Sequence, residues 1–340
     1  MPAEWEHSAA VLVAFPHEKT DWAYMLDEVQ ACYVEFIKAI SCHAVAIVIA
    51  PDTTRAKEML VGVDNIIYFD VATNDTWTRD YGVICTEDNS GNLLLNDFGF
   101  NAWGGKFAAE LDNQVTRRMY EAGLIKGEYL NRNNFILEGG SIESDGCATI
   151  MTTDSCLLTE TRNPEFACQG SKLPYEEYLR ETLGAKQVLW VKDGSLDGDD
   201  TDGHIDTIAR IAPNDTILYC AAGERDDAQA RSLRAMKECI SEFRTLSGMP
   251  YNLIELPIPD PIYDEDGERL PATYANYLVL NDAVLMPTYG QEQNDLLASK
   301  IIKVAFPEHE VIGVDCRALI RQHGSLHCAT MQIPVNAFSL

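Results

Sequence analysis

The sequence predicts an α/β fold in which five ββαβ units close on themselves as a five-bladed, pseudo-symmetric α/β propeller, a single domain over residues 1–340. Three observations carry that reading. Five stretches with helical spacing or composition are each followed by a short β-like run. Before four of the five there is a hairpin-like pair of apolar runs split by turn chemistry. The two ends of the chain carry the pair that the first helix lacks. The repeat is structural and not an obvious sequence self-similarity.

In the first unit, Trp22 to Ile40 is helical and Val45 to Ile49 is its strand, while Ala9 to Phe15 is expected to pair with Ser325 to Ile333. The second unit pairs Gly82 to Thr86 with Leu93 to Asp97 around Asn89-Ser90-Gly91, then continues with a helix over Phe107 to Ala122 and a strand over Asn134 to Leu137. The third pairs Ala148 to Thr152 with Cys156 to Thr159, ahead of a helix over Pro174 to Leu183 and a strand over Gln187 to Val191. The fourth pairs Thr207 to Ile211 with Thr216 to Cys220 around Pro213-Asn214-Asp215; Asp227 to Leu246 and Tyr251 to Leu256 follow. The fifth pairs Tyr277 to Leu280 with Ala283 to Met286 around Asn281-Asp282, followed by Asp295 to Val304 and Val311 to Val314. The post-helix runs are rich in Val, Ile, Leu and Tyr, as buried strands require.

Composition narrows the partners. Lys and Arg number 26 against 53 Asp and Glu, a formal charge of −27, which repels phosphate backbones and anionic lipid and favours a small cationic ligand. No nucleic-acid or membrane partner is expected. The opening residues read MPAEWEHSAA, without the basic end and apolar run of a secretion signal, and runs such as Ala44 to Ala50 fall far short of the roughly 20 residues that span a bilayer. A cytoplasmic protein is therefore expected, with its 10 cysteines as thiols, most of them packed in the core and one a candidate nucleophile.

The five connections that run from each post-helix strand to the next hairpin point to one end of the ring, and they hold the most polar residues. They are Asp75-Thr-Trp-Thr-Arg-Asp80, Glu138-Gly-Gly140, Asp200-Thr-Asp-Gly-His-Ile-Asp206, Thr273-Tyr-Ala-Asn276 and His323-Gly-Ser-Leu-His-Cys328. Carboxylates, a histidine and a cysteine gathered there would suit a cation whose central carbon is attacked. Each residue also has a plainer reading. Cys328 by itself would be a packed thiol, Arg79 and Asp80 a local ion pair, His204 a turn cap, Glu138 a strand end, Asn276 a capping amide, Trp77 a core aromatic, and the loop over Asn101 to Lys106 simple packing around Trp103.

The motifs Met1-Pro-Ala-Glu-Trp-Glu6, Thr76-Trp-Thr-Arg-Asp80, Asp97-Phe-Gly-Phe-Asn-Ala-Trp-Gly-Gly105, Leu137-Glu-Gly-Gly-Ser-Ile142, Arg162-Asn-Pro164, Gly203-His-Ile-Asp206, Pro271-Ala-Thr-Tyr-Ala-Asn276 and His327-Cys328 run nearly end to end. With them the chain resembles the agmatine deiminases and bacterial-type peptidyl-arginine deiminases of the guanidino-modifying, or pentein, superfamily. Before the cysteine it departs from that pattern, with Gln322-His-Gly-Ser-Leu-His-Cys328 in place of a glycine-rich run. The resemblance implies the same five-bladed fold, a monomer-closed chain with a homodimer left open, and no metal or organic cofactor. It implies Cys328 as nucleophile, His204 as acid and base, and Asp80 and Asp206 as the carboxylates that grip a guanidinium. Trp77, Glu138, Asn276 and Trp103 would line the substrate. The loop Gly99-Phe-Asn-Ala-Trp-Gly-Gly105 has no Arg to meet a carboxylate, which favours agmatine over free arginine or peptidyl-arginine, with N-carbamoylputrescine and ammonia as products in putrescine biosynthesis.

Two rivals belong to other classes. His323 and His327 at i, i+4, with His204 near Asp206, allow a metal hydrolase to be drawn, although Gly324 and Ser325 weaken a helix there. Asp197, Asp199, Asp200, Asp202 and Asp206 allow an acidic cation-binding module, although their spacing fails the EF-hand loop.

Overall fold

The computed structural model describes residues 1–88 and 90–339; Asn89, expected in the turn of the second unit, lies outside the described residues. The architecture is mixed α/β. Among the described residues, five sheets share one plan, an antiparallel pair of strands, a hairpin in four of them, of which one strand also pairs in parallel with a strand reached through a helical crossover. A sixth, two-stranded ribbon pairs Ile262–Tyr263 with Arg269–Leu270.

The first sheet joins the two ends of the chain. Ser8–Ala14 runs antiparallel to Met331–Pro334 and parallel to Val45–Ala50, with Leu12 opposite both Met331 and Ile47. Its crossover helix, Leu26–Ser41, buries Val29, Tyr33, Phe36, Ile37 and Ile40, one face at helical spacing. Against expectation this sheet has a fourth strand, Ile66–Asp70, delivered by the short helix Thr54–Met59.

The second sheet joins Ile84–Glu87, Leu93–Gly99 and Glu128–Ile136. Its last strand begins six residues before the expected Asn134, and its helix is only Val115–Glu121 because the residues from Phe107 are spent on a loop and a 3-10 turn. The third sheet corrects a predicted pairing. Thr149–Thr153 pairs with Ile142–Ser144, upstream of it, and not with Cys156 to Thr159. Asp145 closes that hairpin by accepting the amides of Cys147 at 2.7 Å and Thr149 at 2.8 Å, while Thr153 caps the helical turn Asp154–Leu157 that takes Cys156. The polar residues before Cys156 thus begin a helix where a turn was expected.

The fourth sheet, Ala209–Ala212 with Thr216–Cys220 and Asn252–Leu256, and the fifth, Leu278–Leu280 with Ala283–Thr288 and Glu310–Asp315, pair the strands that were expected to pair. Helix Ala228–Ser241 starts where Asp227 accepts the Ala230 amide at 2.7 Å. No helix among the described residues is long and apolar enough to cross a membrane, and all ten cysteines are free thiols.

The five polar connections meet in a closed cycle of hydrogen bonds. Gly140 N–H donates to Asp80 at 3.0 Å, His204 Nε2 faces Glu138 at 3.4 Å, and Asn276 Nδ2 donates to the Asp206 carbonyl at 3.5 Å. His327 N–H donates to Asn276 Oδ1 at 2.9 Å, and Arg79 N–H to the Cys328 carbonyl at 3.1 Å, which returns to the first connection.

Leu12 is fully buried between two strands and at the join of the chain ends. Leu12→Ala is expected to lower the unfolding free energy by about 2–5 kcal/mol in urea titrations. A loss below about 1 kcal/mol would show that this strand is not part of the cooperative core.

Candidate active site

Asp80 sits on the single helical turn Thr78–Tyr81 and is almost fully buried. The segment leading to it is tied from behind. Asp112 accepts the amides of Asn74 at 2.7 Å and Asp75 at 3.3 Å, Tyr81 donates its hydroxyl to the Asp75 carbonyl at 3.0 Å, and the Trp22 indole donates to Thr76 at 2.9 Å. Trp22 also packs against Trp77, ring centroids 5.7 Å apart. Trp103 reaches the site because the 101–105 loop is left-handed at Ala102 and Trp103, φ 50° and 55°, a conformation costly for residues with a Cβ. Asn101 supports it by accepting the Gly104 amide, and the indole N–H then donates to Asp80 Oδ2 at 2.9 Å.

Glu138 and His204 are fully buried side by side. Arg162 donates to Glu138 Oε2 at 2.7 Å, and the Cys156 thiol lies 3.7 Å from the same oxygen. His204 Nδ1 is 3.7 Å from Asp80 Oδ1. Gly140 lies where these groups converge: a Cβ there would sit 2.6 Å from His204 Nδ1, 2.9 Å from Asp80 Oδ1 and 3.1 Å from Asp206 Oδ2. Only glycine leaves that space to the site. Asp206, on the 3-10 turn Ile205–Thr207, accepts from His327 Nδ1 at 2.7 Å. Cys328 Sγ is 3.8 Å from Asp206 Oδ2 and receives the Asn276 amide at 3.2 Å, while Asn276 Oδ1 accepts the backbone N–H of His327 and Cys328. Trp77 and Gly324 form another close approach, since a Cβ on Gly324 would lie 2.3 Å from the indole.

Electrostatically the site is short of positive charge. Burial pushes the Asp80 carboxyl up, though His204 pulls the other way. Burial also opposes ionisation of Glu138 and Asp206, but His204 and Arg162 outweigh it at Glu138 and His327 outweighs it at Asp206, so both are held below the usual range. Burial disfavours charge on His204, yet Asp80, Cys156 and Glu138 hold the imidazole well above its ordinary value. Burial first, then Asp206 and Asp80, push the Cys328 thiol well up, so it is neutral while the site holds no cation. Buried Glu138 Oε1, His204 Nδ1 and Asp206 Oδ1 have no hydrogen-bond partner among the described residues. The two carboxylate oxygens are free to meet a planar, charge-delocalised donor of several N–H groups, and protonated His204 keeps an N–H at Nδ1 to give.

A narrow cleft of about 40 Å³ opens onto Cys328, Asp80, Trp77 and Trp103, with Asp21, Asp75 and Asp200 also in its lining and, among the described residues, neither Arg nor Lys. Asp75 is pushed up to about 7, by burial and then by Asp21.

All eight predicted side chains, Cys328, His204, Asp80, Asp206, Trp77, Glu138, Asn276 and Trp103, are therefore in or beside one site. Arg79 and Asp80 do not pair: Arg79 turns away to Gln332, Met331 Sδ and the His327 carbonyl. His323 and His327 do not share a ligand position, because His323 Nδ1 bonds the Gly198 carbonyl at 2.7 Å while His327 lies between Asp206 and Glu4. Two other clusters have ligand atoms close enough for a metal, Glu138 with Cys156 and His204, and Glu4 with Glu143 and His327. In both an arginine already grips the carboxylates, Arg162 in one and Arg210 in the other, a donor set suited to ion pairing. The acidic run does not converge either: Asp197 pairs with Arg269, Asp200 with Lys106, Asp202 with Lys106 and Arg162, and Asp199 caps its own loop. Cys156, Gly140 and His327 were missed as site neighbours. Arg162, Gly140 and His327 stand inside quoted motifs; Cys156 carried no signal beyond its residue type.

Comparison with known proteins agrees with this geometry. A family model described as Porphyromonas-type peptidyl-arginine deiminase matches residues 1–334. A curated Marinomonas sp. (strain MWYL1) protein named "Putative agmatine deiminase" is 33% identical, the match covering 98% of this chain and 94% of the relative. Among solved structures, a Porphyromonas gingivalis protein named as a "Putative Arginine Deiminase" superposes with TM-score 0.93 at 45% identity, covering 100% of this chain and 99% of that one. A Cys-to-Ser variant of C. jejuni agmatine deiminase with substrate bound superposes with TM-score 0.89 at 39% identity, covering 98% and 95%.

Asp112, which anchors the Asp80 segment, is 1% exposed and is pushed up to about 8, chiefly by burial. The unfolded chain loses this proton near pH 4 and the folded chain keeps it to about pH 8, so the stability it confers is present below pH 4 and is lost as pH rises from 4 to 8. The unfolding free energy of the unmodified protein minus that of Asp112→Asn, which keeps the Oδ1 acceptor, is expected to fall between pH 5 and 8 by up to about 1.4 kcal/mol per unit. A flat or rising difference would contradict the assignment.

Proposed function

The chain belongs to the Porphyromonas-type peptidyl-arginine deiminase family, a family of guanidino-group hydrolases, and on that premise we propose that it is an agmatine deiminase. It would convert agmatine and water to N-carbamoylputrescine and ammonia, a step toward putrescine. One observation carries this reading: Asp80, His204 and Asp206 converge on the space that Gly140 leaves empty, with Cys328 Sγ 3.8 Å from Asp206. A buried site with three carboxyls and one imidazole favours a cation, and the planar donor fork of a guanidinium matches carboxylates bidentately.

The chemistry follows from those positions. Asp80 and Asp206 hold the guanidinium and draw its charge onto the nitrogens they face, which leaves the central carbon open to attack. The arriving cation offsets the carboxylates that keep the Cys328 thiol neutral, and the thiol gives up its proton to solvent through the cleft that opens onto it. The thiolate attacks the carbon, forming the C–S bond and a tetrahedral adduct. His204, whose imidazolium is favoured by Asp80 and Glu138, protonates the departing nitrogen, the C–N bond breaks, and ammonia leaves a thiouronium on Cys328. Neutral His204 then takes a proton from water, which attacks the same carbon; the C–S bond breaks and the ureido product leaves. Glu138, with Oε1 free, and Asn276, on the sulfur, would orient the substrate and the nucleophile. Trp77 and Trp103 would wall the cleft.

The names of the relatives point both to peptidyl-arginine and to agmatine, and the lining of the cleft favours the second. A substrate carboxylate would meet Asp21, Asp75 and Asp200 without an opposing cation, whereas the ammonium of agmatine suits them. Lys106 is already engaged by Asp200 and Asp202. We also read the five sheets, linked by their cycle of hydrogen bonds, as the blades of one propeller domain whose connections build the site. No step of this chemistry calls for a metal or organic cofactor.

Ammonia release from agmatine, arginine and a peptidyl-arginine, each with the unmodified protein and with Cys328→Ala, tests the reading. Release is expected from agmatine at a kcat/KM at least about tenfold above the others, with a fall of at least about 10³ in the alanine variant. Release from the peptide alone would transfer the assignment to peptidyl-arginine, and release that survives Cys328→Ala would remove the nucleophile.

A further inference from the structure

The mechanism uses Asp206 but leaves unexplained what orients its carboxylate. Asp206 is fully buried, and its two oxygens differ: Oδ2 accepts from His327 Nδ1 at 2.7 Å, while Oδ1 has no partner among the described residues. His327 is gripped on its other side, where Nε2 lies 2.8 Å from Glu4 Oε2 and 3.2 Å from Arg210 Nη2. Glu4 comes from the amino-terminal segment and is itself fixed, its Oε1 accepting the Val279 amide at 2.8 Å. Burial would raise its carboxyl pKa, but Arg210 and His327 hold it well below the usual range, so it is a carboxylate. Arg210 completes the frame by donating to Glu143 at 2.6 Å and to the Ala275 carbonyl at 2.9 Å, next to the Asn276 that steadies Cys328.

This network reaches the site from behind. A second cavity of about 580 Å³, which shares no lining residue with the cleft, is lined by Glu4, Arg79, Glu143 and His327. The amino-terminal segment therefore touches the reaction centre through His327 and not through the substrate.

We infer that His327, steadied by Glu4, is a positioning residue that fixes Asp206 through Oδ2, the oxygen beside the space at Gly140, and so leaves the carboxylate, with Oδ1 unpartnered, preset for the substrate guanidinium. The inference rests on the proposed deiminase reading, since it gives Asp206 the task of holding that group. An aspartate side chain turns about two torsions, and in a buried site the rotamers that point Oδ1 elsewhere have to be excluded by a bond. His327 Nδ1 supplies that bond, and Glu4 keeps the ring from turning away.

Steady-state kinetics on agmatine separate positioning from mere packing. His327→Ala is expected to raise KM at least about tenfold, and His327→Asn, whose amide N–H stands near the place of Nδ1–H, to bring it back within about threefold of the unmodified enzyme. Glu4→Gln cannot accept from both Val279 and Arg210 with its one oxygen, which loosens the side chain that holds His327, and is expected to raise KM by about threefold or more with kcat changed less. Near-ultraviolet circular dichroism checks that each variant is folded. Equal impairment of the alanine and asparagine variants, or an unchanged KM in both His327→Ala and Glu4→Gln, would overturn the inference while unmodified enzyme still released ammonia. If His327→Ala does not fold, an unchanged KM in Glu4→Gln overturns it alone. No ammonia from agmatine, arginine or peptidyl-arginine with unmodified protein would overturn the parent reading, and the inference with it.

Discussion

The structure depends on an imbalance of charge in a buried space. Asp80, Glu138 and Asp206 converge there with His204, and their internal counter-ions are turned outward or shared: Arg162 lies on Glu138 but also on Asp202, and His327 divides itself between Asp206 and Glu4. Burial makes each unneutralised carboxylate expensive, so the site binds protons or a cation. That single demand accounts for the raised imidazole of His204 and for the neutral thiol of Cys328, and it is the ground on which we propose a positively charged guest. It also explains why glycine stands at position 140, where a methyl group would occupy the place the guest needs.

The fold answers the demand by taking one short segment from each of five similar units. No segment holds the site alone. Each is anchored by the next through a hydrogen bond, and four of the five are also held from behind by a polar group: Asp112 under the 74–80 segment, Arg162 under Glu138, Arg210 under 275–277, and His327, from the fifth segment, under Asp206. Buried ion pairs of this kind contribute little net stability, but losing one partner leaves a buried charge exposed to the full desolvation penalty. They buy geometry.

Much of this was legible in the sequence, for physical reasons. Period-two and period-3.6 apolar patterns are imposed by burial of one face, so the existence of helices near Leu26–Ser41 and Ala228–Ser241 and the strand pairings of the fourth and fifth sheets could be read directly. The pairing of the chain ends followed from an unfilled place beside Ser8–Ala14. The polar connections were legible because polar residues cluster there where burial alone would not favour them, but the roles of the eight candidate residues came only with the resemblance of their motifs to a known family. What was not legible depended on competition that a single sequence does not reveal. Thr153 can end a hairpin or cap a helix, and the tertiary pairing of Thr149–Thr153 with Ile142–Ser144 decided for the cap. The added strand Ile66–Asp70 looks like its neighbours, and nothing local says which sheet it joins. Cys156 is an ordinary residue in sequence, and only the approach of Glu138 from a distant segment gives it a part, while His327 stood in a motif whose contact with Asp206 spacing could not show.

The account turns on a sulfur–carbon bond between Cys328 and the central carbon of a guanidino compound, and acid quenching during turnover of agmatine followed by peptide mass spectrometry looks for it directly. The peptide containing Cys328 is expected to carry the mass of the substrate less one ammonia. The same adduct on another residue, such as Cys156, or turnover with Cys328 unmodified at every quench time, would contradict it.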